Sequence, residues 1–247
     1  MADTTIDGPR VAPANGAPAK SLVILLHGYG SNGDDLISLA AYWQGVLPAT
    51  AFVAPNAPQP CPGAPGGYQW WALTSPDGAS RARGAAQAAP VLDAFIDAEL
   101  ARHGLTEAQL ALVGFSQGTM MALQVGPRRA RPLAGIVGYS GMLADTAGLD
   151  DPALTRPPVL LVHGDEDPVI PLEAFEQAWA ALAAGGFSVD VHVSPGVGHS
   201  IDLPGLLRYY QSRSAGAMYS GCGGGYLYVV SEEPVPGGFR VKVRIAK

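Results

Sequence analysis

LALVGFSQGTMMALQV, residues 110–125, decides how the rest of the chain is read. Leu110 to Val113 is an apolar run of strand length, and Gln117 to Val125 carries the apolar spacing of a helix. Between them stands G-F-S-Q-G, residues 114–118. A strand that turns sharply into a helix at Gly-x-Ser-x-Gly is the setting of a nucleophile elbow. Ser116 takes the tip of the turn, and the two glycines let neighbouring backbone come close. The amides that open the helix favour negative charge developing beside the serine. In a chain with 32 glycines the five-residue pattern alone carries little, and a glycine-rich turn with a bystander serine competes with it. The strand before and the helix after it favour the elbow.

The neighbouring segments repeat this alternation. SLVILL, residues 21–26, is a continuous apolar run, as expected of a strand covered on both faces. Asp34 and Asp35 precede Leu36, Ile37, Leu39, Ala40 and Trp43, an amphipathic helix with acid in its first turn. Residues 51–54 read as a short strand, and residues 55–80 as a long loop rich in proline and glycine, without a helix of its own. Loops of that length in compact domains are usually functional. Helical patterns follow at Arg83–His103, interrupted by Pro90, and at Leu172–Ala184. Further apolar runs occupy Gly135–Gly138 and Val159–Val162, and Ser188–Val193 alternates like a half-buried strand. Strands alternating with helices imply an α/β fold with a mostly parallel, doubly wound sheet.

The chain has 247 residues, 48% hydrophobic and 15% charged, enough for a sizeable core and too apolar for disorder over most of its length. A net charge of -6 argues against nucleic-acid and anionic-membrane partners; Arg128, Arg129 and Arg131 form too short a group for a binding stripe. No apolar run reaches the roughly 18 residues of a membrane span. Residues 1–8 are polar rather than signal-like, so Cys61 and Cys222 are expected as free thiols in a reducing, cytoplasmic setting.

In open parallel sheets, sites form beyond the carboxyl ends of the strands. The residues there are His27-Gly28-Tyr29-Gly30, Ser116, Ser140-Gly141, His163 to Asp167 and the loop 195–202 with His199. A serine needs an adjacent base, and five histidines compete for that role. His27 and His163 each precede a glycine at a strand end, where a ring more often braces the turn. His192 lies inside an alternating strand, and His103 lies near a helix C-terminus. His199 sits in a flexible Gly-Val-Gly-His-Ser loop after the last strand and follows an acid, in the order Ser, Asp, His. For the acid, Asp167 precedes Pro168, which biases it toward an extended backbone, while Asp165 is the alternative or a turn cap. The amides of Gln117 and Tyr29 are the expected oxyanion donors. Such a triad calls for no metal and no organic cofactor.

HGYGSNGDDL, PNAPQP, QWWAL, GFSQGTMMAL, GYSGML, HGDEDPVIP and GVGHSI, in that order over about residues 7–205, closely resemble the carboxylesterase/phospholipase family, which includes the acyl-protein thioesterases. The resemblance implies an α/β-hydrolase fold without a large lid domain. It further implies hydrolysis of small carboxylic esters with short to medium acyl chains, with acyl thioesters or lysophospholipids as the alternative. It also places Trp71, Phe115, Met142 and Val169 where the family lines its acyl pocket, although core packing explains each equally well. A binding protein on an inactive hydrolase scaffold is the reading from another class.

The chain departs from the family near its end. GAMYSGCGGGYLYVV, residues 216–230, resembles the glycine-rich C-terminal motif of the GHMP small-molecule kinases, but no phosphate-cradling loop accompanies it. Residues 1–211 are therefore expected to form the catalytic domain. Residues 212–247 read as a β-hairpin extension, with strands at Tyr226–Ser231 and Phe239–Ile245, whose edge could pair in a homodimer.

Overall fold

The computed structural model describes residues 5–75 and 77–202, together with the backbone of residues 226–235 and 238–246. The strands are β1 (Arg10–Val11), β2 (Ser21–Leu26), β3 (Thr50–Val53), β4 (Gln59–Pro60), β5 (Tyr68–Gln69), β6 (Leu110–Phe115), β7 (Gly135–Tyr139), β8 (Val159–Gly164), β9 (Val189–Ser194), β10 (Tyr226–Val235) and β11 (Gly238–Ala246). The α-helices are α1 (Gly33–Ile37), α2 (Ala40–Trp43), α3 (Gly78–His103), α4 (Gln117–Val125) and α5 (Leu172–Ala184).

Seven strands form the main sheet in the order β1-β3-β2-β6-β7-β8-β9. All neighbours run parallel except β1, which lies antiparallel to β3. Successive residues of β2 feed opposite faces. Leu22, Ile24 and Leu26 join Leu92 and Phe95 of α3, Met121 of α4 and Phe175 of α5, while Val23 and Leu25 join Leu36 of α1 and Trp43 of α2. Helices on both faces make the sheet doubly wound, as the apolar run SLVILL implies. Among the described residues no inserted lid domain interrupts this order.

The chain leaves β2 toward β3 on one side, then crosses back to β6 and continues outward through β7, β8 and β9. The gap between the ends of β2 and β6 is the place where winding reverses, and open α/β sheets bind their ligands in that crevice.

Two helices differ from the pattern read in the sequence. The amphipathic run after Asp34 is two short helices, because the Ser38 hydroxyl donates to the Asp35 carbonyl at 2.7 Å and competes with the helical ladder. Helix α3 begins at Gly78 rather than at Arg83, because the Asp77 carboxylate accepts from the Ser80 amide and caps it; the helix runs through Pro90 to a left-handed Gly104. Among its described residues the loop 55–77 holds the small antiparallel pair β4–β5 and no helix. β10 and β11 pair antiparallel in a separate sheet, running on to Val235 and resuming at Gly238. The glycine-rich segment 216–225 and Cys222 lie outside the described residues.

Leu112 is fully buried on β6 at the middle of the sheet. Leu112→Ala is expected to lower unfolding free energy by about 2–5 kcal/mol. Urea unfolding should show a lower midpoint with unchanged slope.

Candidate active site

Ser116 stands between β6 and α4 with φ 54 and ψ -114, one of two non-glycine residues with positive φ among those described. Such a backbone costs on the order of 1–3 kcal/mol and persists only where its surroundings impose it. Here they do. A side chain on Gly118 would overlap the carbonyl oxygen of Leu26, and one on Gly114 would overlap the backbone of Gly118 and Thr119. The first turn of α4 therefore lies against the end of β2, and Ser116 is forced out to the tip. Its amide donates to the Tyr139 carbonyl at 2.9 Å, and the Thr119 hydroxyl also lies 2.9 Å from that oxygen. The Ser116 side chain is left without a hydrogen bond to any described residue.

Asp167 and His199 meet. His199 Nδ1 and Asp167 Oδ2 are 2.7 Å apart, and Asp167 Oδ1 accepts from the amides of Val169 and Ile170 at 2.8 and 2.9 Å. Burial raises the carboxyl pKa, but the Ile170 amide, His199 and the Val169 amide outweigh it and hold Asp167 below its ordinary value. An ionised carboxylate can only accept, so Nδ1 carries a proton and Nε2 presents its lone pair. The imidazole lies beside the elbow, its centroid 4.9 Å from that of the Phe115 ring. No hydrogen bond joins it to Ser116 in this structure; in unliganded sites such bonds are often long until substrate arrives.

The His199 loop is tethered rather than flexible. The Gly196 amide donates to Asp165 at 2.6 Å, the Glu166 amide to the Val197 carbonyl at 3.0 Å, and the Ser140 hydroxyl to the Ser200 carbonyl at 3.2 Å. The Ser194 hydroxyl also donates to Asp202 at 3.1 Å, and a side chain on Gly164 would overlap the Val197 carbonyl. Asp165 thus caps no local turn; it holds the loop that carries His199. Sequence patterns do not expose the role of Ser140, whose only outward sign is its place at a strand end. It is the second non-glycine residue with positive φ.

His27 and His163 are buried and brace their turns. The Ala57 amide donates to His27 Nε2 at 2.9 Å, which leaves Nδ1 protonated and donating to the Gly28 carbonyl at 2.7 Å. His163 Nε2 donates to the Ile170 carbonyl at 2.8 Å, closing the turn whose amides hold Asp167. The end of β2 lies against the elbow, since a Cβ on Gly28 would stand 3.2 Å from that of Ser116. Tyr29 follows at once. Neither its amide nor that of Gln117 donates to another described residue, so both remain available to a ligand.

The four residues placed at the acyl pocket are disposed differently. Trp71 is buried against Gly84 of α3, Met142 is half-buried on the core, and Phe115 lies beside His199. Val169 is 59% exposed. Leu73, unforeseen from the sequence, is 58% exposed on the loop that carries Trp71. Cys61 is a buried free thiol.

Residues 8–211 match the family model described as phospholipase/carboxylesterase. Esterase YpfH of Escherichia coli is 29% identical over 190 residues, 75% of this chain and 78% of that protein. Acyl-protein thioesterase 1 of Kluyveromyces lactis is 30% identical over 183 residues, 68% of this chain and 78% of its own. The crystal structure of esterase PE8 is similar with a TM-score of 0.78 at 46% identity, covering 82% of this chain and 94% of that one.

Burial pushes the His27 pKa below its ordinary value of 6.5, more than its bond to the Gly28 carbonyl raises it. The unfolded chain then binds this proton more readily than the folded one. Its contribution to stability is complete above pH 6.5 and is lost as pH falls below it. Urea midpoints are expected to be lower at about pH 5.5 than at about pH 7.5. Asp167 adds its own loss only as pH falls below 3.8, its ordinary value.

Proposed function

The chain belongs to the phospholipase/carboxylesterase family, and from that premise we propose that it hydrolyses carboxylic esters through an acyl-enzyme on Ser116, with His199 as base and Asp167 orienting it. The observation that supports this reading is the 2.7 Å contact between His199 Nδ1 and Asp167 Oδ2.

Ser116 Oγ attacks the ester carbonyl carbon while His199 Nε2 takes the hydroxyl proton. The carbonyl oxygen becomes an oxyanion, met by the amides of Tyr29 and Gln117 at the positive end of α4. Collapse breaks the bond to the alcohol oxygen, which receives the proton from His199, and leaves the acyl group on Ser116. Water then gives a proton to His199 and its oxygen attacks the acyl carbon. The second collapse releases the acid and returns the proton to Ser116. Throughout, Asp167 stays ionised and offsets the charge that His199 gains and loses.

Phe115, Trp71, Met142 and Val169 line the acyl side in this reading, with substrates of short to medium chain length. The same machinery serves thioesters, and the named relative from Kluyveromyces lactis favours that second reading. Matched p-nitrophenyl esters and acyl thioesters separate the two. Residues 1–211 form the catalytic unit, in keeping with the extent of the family match, and 212–247 an extension. The place of action in this reading is the cytoplasm, in keeping with the free thiol of Cys61; pairing of two copies through the edge of the extension is the assembly that sedimentation velocity tests. No helix among the described residues is long and apolar enough to cross a membrane.

Ser116→Ala is expected to abolish p-nitrophenyl butyrate turnover and labelling by a serine-directed phosphonate, with the melting temperature unchanged. Wild-type turnover in that variant would refute the nucleophile. Asp167→Asn leaves Nε2 protonated and is expected to lower kcat by roughly 10⁴-fold. A chain ending at residue 211 is expected to retain turnover; its loss in a soluble, folded truncation would assign the extension a part in catalysis.

A further inference from the structure

The Gln117 side chain is buried beneath the elbow, where the proposed mechanism uses only its backbone amide. Its Oε1 accepts from the Trp70 amide at 2.8 Å, and its Nε2 donates to the Trp71 carbonyl at 2.9 Å. Both ends of the side-chain amide are thus committed to one stretch of the loop after β5. Trp70 is also buried, and its indole Nε1 donates to the His27 carbonyl at 3.0 Å. His27 in turn holds the Gly28 carbonyl through Nδ1, and the Ser31 amide donates to the same oxygen at 3.2 Å.

The Gly28 carbonyl and the Tyr29 amide belong to one planar trans peptide, so their C=O and N–H point in opposite directions. Fixing the first aims the second. A continuous set of hydrogen bonds therefore runs from the side chain of residue 117 to the peptide that contains the Tyr29 N–H. The other proposed donor is the backbone N–H of residue 117 itself.

We infer that Gln117 and Trp70 are positioning residues for the oxyanion hole: the Gln117 side chain and the Trp70 indole set where the Tyr29 amide stands relative to the Gln117 amide. Without them the two donors sit on separate segments, one after β2 and one at the start of α4. A donor acts on a developing oxyanion only when it stands at the right point beforehand, and displacement by about 1 Å can cost roughly a hundredfold in rate. Sequence alone hides this arrangement, because residues 117 and 70 share no periodicity and the glutamine reads simply as the x of a Gly-x-Ser-x-Gly pattern.

The inference rests on the esterase reading, so its test scores the two separately. Trp70→Phe keeps an aromatic ring and deletes the donor to His27 together with part of the buried ring volume, a packing loss that the melting temperature reports. Gln117→Glu keeps the acceptor for the Trp70 amide and loses the donor to Trp71. Each variant is compared with wild type and Ser116→Ala for p-nitrophenyl butyrate kcat and KM, for phosphonate labelling and for melting temperature. Affinity is measured for a trifluoromethyl ketone, which forms a tetrahedral oxyanion on the serine. Folded Trp70→Phe is expected to lose roughly tenfold to a hundredfold in kcat with KM within about twofold, and to lose ketone affinity by a similar factor. A purely structural role would reduce the melting temperature and the fraction of labelled enzyme, but leave kcat per labelled site and ketone affinity intact. That result overturns the inference while the triad stands. If Gln117→Glu does not fold, Trp70→Phe decides alone. Wild-type protein that neither turns over the ester nor reacts with the phosphonate overturns both readings.

Discussion

Gly118 presses its backbone against the carbonyl of Leu26, and the geometry of the site is referred to that contact. Any side chain there would push α4 off the end of β2. Because none exists, the first turn of α4 sits directly on the strand and Ser116 takes a positive-φ backbone, with φ 54 and ψ -114. The same closeness brings the segment leaving β2 beside the serine, so that Gly28 and Ser116 nearly touch. The Tyr139 carbonyl then takes the Ser116 amide and ties the elbow to β7. The strain is local, and the burial of β2 and β6 on both faces supplies the stability that sustains it.

Much of this architecture is legible in residue order. Strands covered on both faces leave unbroken apolar runs, so SLVILL and LALV announce the centre of a parallel sheet. The helices at Gln117–Val125 and Leu172–Ala184 keep the bounds their patterns imply. Less legible are elements whose existence depends on distant partners. Arg10–Val11 forms β1 only by pairing with β3, and two residues carry no periodicity. Ser38 splits one amphipathic pattern into two helices through a side-chain bond that the hydrophobic pattern does not register. Motif order brings Ser116, Asp167 and His199 forward as candidates, whereas the supports of the site stay hidden. Ser140, Asp165 and the side chain of Gln117 act through bonds spanning 31 to 60 positions.

His199 illustrates how a loop can hold a side chain with the steadiness of a regular element. Its segment touches the ends of β7 and β8 and closes on itself through Ser194 and Asp202. The contacts come from several elements, so loss of one leaves the others to hold the ring near the elbow. Glycine at 164 matters as much as any of them, since it lets the loop descend onto β8.

The carboxylate of Asp167 is a further case of shared support, because its second oxygen is served by two backbone amides that exist whether or not a histidine is present. Two of the three hydrogen bonds that stabilise the anion therefore come from the backbone rather than from His199. Most of the cage around this charge is main chain, which substitution of neighbouring side chains leaves in place.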